Sequence, residues 1–138
     1  MYSHFCTALL PSVFANHLVL RAMADQIVVE SSGRIIAHDV RWARTLAERS
    51  KGLIGSPPPT AGQALIIEPA TQVHTFRMSY PIDVVFVGRD WKVRHVVRSM
   101  ARRRMTKFVF GSRFVIETAS GSLSDEIKPG TQLRLVDS

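Results

Sequence analysis

Residues 72–88 read QVHTFRMSYPIDVVFVG, a largely apolar run interrupted by His74, Arg77 and Asp83. An imidazole can serve as acid, base or metal ligand, and a carboxylate among valines must find donors or take up a proton. Read as two strands, over 73–78 and 82–88, the alternation of faces groups His74 with Phe76 and Met78, and Val73 with Thr75 and Arg77. Asp83 then shares a face with Val85 and Val87. Two roles are open to it. It is a functional acid, base or ligand-binding group, or it is an anchor accepting bonds from backbone N–H groups or an arginine. The anchor is the favoured reading, because buried polar groups are as a rule bonded ones.

Arg49, in ERSKGL, is the leading arginine. It is either a solvated helix charge or the bidentate partner of a buried acid, Asp83 or Glu117. Glu117 alternates against Phe114 and Ile116 and is expected to face outward, exposed on its sheet. His74, His95 and Asp83 could imitate a two-histidine, one-carboxylate metal site. Nothing in their spacing requires it, so no metal and no cofactor are expected.

A second set of residues acts through charge. Residues 89–113 carry nine basic side chains and one acid, a net +8, while the other 113 residues sum to −1. A local basic patch points to nucleic acid, anionic lipid or an acidic protein. Over 98–113, Phe108 and Phe110 could stack on bases while Arg102, Arg103, Arg104 and Lys107 hold phosphates. A solvated basic loop is the plainer reading. No nucleophile elbow, phosphate loop, zinc-binding helix or dinucleotide fingerprint is present.

These residues need elements to hold them. Strands are expected over 26–30 and 34–41 as a hairpin, and then over 63–69, 73–78, 82–88, 91–98, 113–119 and 131–137. One short helix is expected near 45–54. Thr45 and Glu48 form its capping box, Gly55 stops it, and Pro57–Pro59 forbid continuation. Residues 99–111 show no period and read as a mobile basic loop. Many short strands between turns predict a mainly β domain, a small sandwich, jelly roll or barrel.

The chain of 138 residues suits one domain with its own core, placed at 26–138 behind an N-terminal extension at 1–25. Its single cysteine, Cys6, makes neither a disulfide framework nor a thiolate metal site. Residues 5–20 are apolar but too short to span a bilayer comfortably, and no basic segment precedes them. The expected compartment is therefore the cytoplasm, with export as the alternative if residues 1–22 act as a signal. Met23 offers a second start.

Residues 33–136 resemble the DUF192 family of small bacterial and archaeal proteins. The match runs through Ala43 and Thr45, then Arg49, Gly52 and Leu53, then His74, Thr75, Phe76 and Met78. It continues through Pro81, Ile82, Asp83 and Phe86 and ends with Ile116, Glu117 and Gly121. The resemblance implies a mainly β domain and carries no established activity. This chain departs from the family's common Trp-Met-Lys-Asn-Thr segment, reading Phe76-Arg77-Met78-Ser79-Tyr80, and its loop after Trp91 is unusually basic.

The expected function is thus a non-catalytic binding module for a small molecule, sugar or peptide. Its polar site is expected around 74–83, with Arg49, His74, Phe76, Met78, Asp83 and Glu117 as candidates. Binding of nucleic acid or an acidic surface by the basic loop is the alternative. A hydrolytic or metal-dependent enzyme ranks third.

Overall fold

The computed structural model describes residues 25–137. The expected N-terminal extension, with Cys6 and Met23, lies outside the described residues apart from Asp25. Eight strands and one helix follow in order: β1 (Gln26–Val29), β2 (Ile35–Ala37), β3 (Asp39–Ala43), α1 (Leu46–Lys51), β4 (Gln63–Ile67), β5 (Ile82–Val87), β6 (Val93–Met100), β7 (Phe114–Ala119) and β8 (Leu133–Val136). They form two sheets, one ordered β2-β1-β8 and the other β3-β4-β7-β5-β6, so the fold is an open sandwich and not a closed barrel.

The strand expected over 34–41 is two strands. The chain leaves the small sheet after Ala37 and enters the large one at Asp39. His38 marks the corner, where the N–H groups of His38 and Asp39 both donate to the carbonyl of Gly62. Gly62 has a φ of +89°, and a Cβ on it would run into the His38 ring. Only glycine satisfies both demands.

The larger sheet is covered on both faces. One face packs on the small sheet through Ile27, Val29, Ile66, Val85, Phe114, Ile116 and Leu133. The other packs Leu65, Ile67, Val84, Phe86 and Val115 against Leu53, Val73 and Met78 from the connections and Met100 at the end of β6. This explains why IDVVFV on β5 is buried at every position: a central strand covered on both sides has no polar face.

Strands β3 and β4 run parallel, and a parallel pair requires a crossover. Helix α1 lies in that crossover. Its capping box is formed as expected. The N–H of Glu48 donates to Thr45 Oγ1 at 3.2 Å, and the Glu48 carboxylate accepts from the N–H groups of Arg44 and Thr45. The helix ends earlier than expected, at a Gly52 cap with φ +49°. None of its six residues is buried. What holds it down is the next residue, Leu53, and the Tyr80 hydroxyl, a single donor lying 3.0–3.3 Å from the carbonyls of Leu53, Ser56 and Pro57.

Two further expectations are corrected. Residues 73–78 are not a strand but an extended piece followed by a tight turn, in which Arg77 adopts φ +65°. Residues 101–110 are not loose. Backbone bonds tie them to 71–75: Thr75 N–H to Arg104 O, Arg103 N–H to Thr75 O, Thr106 N–H to Val73 O and Val109 N–H to Thr71 O.

Candidate functional site

The two buried acids lie on opposite faces of the large sheet. In the β5–β7 register Asp83 stands beside Thr118 and Val84 beside Glu117, so one residue of offset separates the two faces. Asp83 is fully buried. Its Oδ1 accepts from Ser99 N–H at 2.6 Å, and its Oδ2 accepts from Gly121 and Leu123 N–H at 3.0 and 3.3 Å. Ser99 sits at φ +46°, next to a register slip between β5 and β6. The carboxylate thus clamps that irregularity to the turn after β7. Its partners are backbone groups, and the expected pairing with Arg49 is not made.

Glu117 corrects a second expectation. It is 3% exposed, because the connections cover the face that its strand was expected to show to water. Its neighbours across the strands are Leu65 and Val84. Burial among them pushes its carboxyl up to about 7. Its Oε2 has no hydrogen-bond partner among the described residues, and neither does the buried Nε of Arg49. Arg49 spends another donor, its Nη1, on the carbonyl of Pro69 at 3.2 Å.

Both orphaned atoms belong to residues lining one cavity of about 310 Å³, under α1 and beside the 69–74 segment. Gly52 lines it too, and a Cβ there would come to 3.6 Å from Glu117 Oε2. Its missing side chain keeps the space above the acid open. His74 and Met78 line the same cavity, Met78 buried at one side and His74 exposed. Phe76 is not in the lining. It stacks on the His74 ring, with centroids 5.4 Å apart.

Of the six expected site residues, Arg49, His74, Met78 and Glu117 are therefore brought together. Phe76 supports one of them, and Asp83 belongs to the scaffold on the far face. Among the described residues no three His, Cys, Asp or Glu side chains converge as a metal-ion set. Sequence reading missed Thr75. It is fully buried, and its hydroxyl donates to Ala101 O at 2.7 Å and accepts from Arg104 N–H at 3.0 Å. Tyr80 and Gly52 were also passed over as site builders. The spacing of Arg49, Gly52 and Leu53 was the available signal for Gly52, and all three line the cavity.

The four basic-loop candidates lie elsewhere. Arg104 and Lys107 line a separate groove along β6, with Arg102 and Arg103 exposed just before them. Among the described residues no helix is long and apolar enough to cross a membrane.

A two-sheet β domain with a polar cavity beneath a crossover helix is the class that this geometry defines. The DUF192 family, described as Uncharacterized ACR, matches residues 27–135, and the chain belongs to it. Two crystal structures share the fold. One is a protein of unknown function from Novosphingobium aromaticivorans DSM 12444, with a TM-score of 0.68 and 21% identity over 80% of this chain and 82% of that one. The other, from Sinorhizobium meliloti 1021, is described as a candidate transcription regulator, with a TM-score of 0.64 and 18% identity over 83% of this chain and 95% of that one. No curated protein matches the chain.

Proposed function

We propose that this protein is a binding module for a small hydroxylated molecule of monosaccharide size, held in the cavity beneath α1. The observation that carries the reading is the pair of buried, unpartnered polar atoms, Arg49 Nε and Glu117 Oε2, on residues that line one cavity. A buried polar atom left unbonded costs about 1–3 kcal/mol. A ligand that satisfies both atoms recovers that cost on binding. Arg49 needs an acceptor, and Glu117 near pH 7 can offer an acceptor or a proton. Hydroxyl groups both donate and accept, so neighbouring hydroxyls on a sugar ring answer either state. The volume stands at the small end of ligand sites, which favours one ring over a peptide. Met78 supplies an apolar wall, and the exposed His74 lies at the edge.

The test is a titration of isotope-labelled protein with a panel of neutral, amino and acidic monosaccharides, followed by amide shifts. The expected result is a saturable shift confined to residues 49–53 and 69–74, weakened at least about tenfold by Glu117→Gln or Arg49→Lys. No saturable shift from any member would sink the reading, and so would shifts indifferent to both substitutions. Signals of a new compound accumulating during the titration would reveal turnover and replace binding with catalysis.

A further inference from the structure

Strand β6 is the outer strand of the large sheet, and the segment 101–110 that follows it leaves a groove of about 810 Å³. This groove shares no lining residue with the cavity beneath α1. Val97, Met100 and Val109 give it aliphatic surface, and Phe108 and Phe110 line it as well. Those two rings are 64% and 91% exposed, which costs hydrophobic free energy until something covers them.

The cations around the groove divide into two kinds. Arg94 is held by Asp90 at 2.9 Å, and Arg98 donates to the carbonyls of Leu123, Ser124 and Ile127. These two are committed to the fold. Arg102, Arg103, Arg104 and Lys107 form no ion pair among the described residues.

We propose that this groove binds single-stranded nucleic acid, with bases stacked on Phe108 and Phe110 and phosphates held by Arg102, Arg103, Arg104 and Lys107. Three features select this occupant. The four cations at and beside the groove that form no ion pair among the described residues favour an anion. The faces of the phenylalanine rings are electron-rich, so they repel the carboxylates of an acidic peptide but stack on the flat bases of a nucleotide chain. The surface is a groove along a strand, which an extended polymer can follow and a flat bilayer cannot. Preformation adds to these. The backbone bonds from 71–75 hold the basic segment in place before any partner arrives, so little ordering entropy remains to be lost on binding.

The experiment is fluorescence anisotropy of the full chain with a labelled single-stranded RNA of roughly 12 nucleotides, its DNA counterpart and a duplex, from about 50 to 200 mM salt. Affinity is expected to fall with salt, with a log–log slope of about −0.7 for each phosphate held. Phe108→Ala and Phe110→Ala should each weaken binding about tenfold and leave that slope unchanged. The Arg103→Ala, Arg104→Ala double variant should flatten the slope instead. Phe108→Leu with Phe110→Leu keeps the apolar bulk without the rings, and it should bind as weakly as the alanine forms. Circular dichroism confirms that each variant is folded. Absence of binding at the lowest salt would overturn the proposal. Binding indifferent to both rings would reduce it to charge alone and also overturn it. Tighter capture by phosphatidylserine vesicles or polyglutamate at equal salt would assign the groove to a bilayer or an acidic chain.

Discussion

Asp83 and Glu117 are carboxyl groups on neighbouring strands of one sheet, and their surroundings give them opposite physics. Three backbone N–H groups donate to Asp83, so both of its oxygens are bonded where they lie. Asp83→Asn turns one acceptor into a donor facing other donors, and Asp83→Ala leaves all three N–H groups unbonded. Each is expected to cost about 2–4 kcal/mol in urea melts. A midpoint unchanged from wild type would strip Asp83 of its anchoring role. Glu117 has no such donors, and its pH dependence follows from that. In the unfolded chain it ionises near its ordinary 4.5, but in the fold it keeps its proton to about 7. Between those values the folded state binds more protons than the unfolded state, so stability falls as pH rises and levels off above about 7. The span amounts to about 3 kcal/mol. Melts of wild type and Glu117→Gln over pH 5–8 should diverge in this sense, and parallel curves would contradict it. The sequence showed that both acids sit in apolar strands. It could not show which was satisfied, because alternation assigns a face and says nothing about what later folds over it.

At the level of elements, Thr75 is the residue that fastens two connections together. Its hydroxyl and backbone zip the 72–76 segment to 101–104, so one residue positions a cavity wall on one side and the basic segment on the other. Thr75→Val keeps the volume and removes the hydroxyl, which leaves Ala101 O without that donor and Arg104 N–H without that acceptor. The expected cost is about 1–3 kcal/mol. Amide exchange should accelerate most at Arg103, Arg104 and Thr106, and unchanged protection there would show that the backbone bonds suffice alone. The capping box of α1 was legible because its signal is local: Thr45 and Glu48 lie one turn apart and need no other element. The 73–78 segment was misread for the opposite reason. Its polar–apolar alternation imitates a strand, yet Arg77 turns into the left-handed region and the apparent strand partner is an isolated bridge from His74 to Met105. The corner at His38 was hidden in the same way, since Ile35–Val40 looks continuous until two sheets compete for it.

Across the whole molecule, charge and apolarity are segregated. The core fills both faces of one sheet, and the basic residues gather around its β6 edge, where the proposed nucleic-acid groove runs. The strand inventory, the one helix among the described residues and the mainly β class were readable from turn residues and short β-branched runs. The order of strands was not, because pairing between distant segments leaves no local mark. That order carries a consequence for how the protein is made. Strand β1 pairs with β8, in register from Gln26 with Val136 to Val29 with Leu133. A ribosome adding roughly 5–20 residues per second completes β1 on the order of 5–20 s before β8 exists. For that interval Ile27 and Val29, fully buried in the finished molecule, have no partner on that side. A chain ending after Gly130 should therefore stay protease-sensitive, and resistance equal to that of the chain through Ser138 would show that the small sheet closes without β8. Strand β1 must therefore be kept from straying until β8, about a hundred residues later, has left the ribosome.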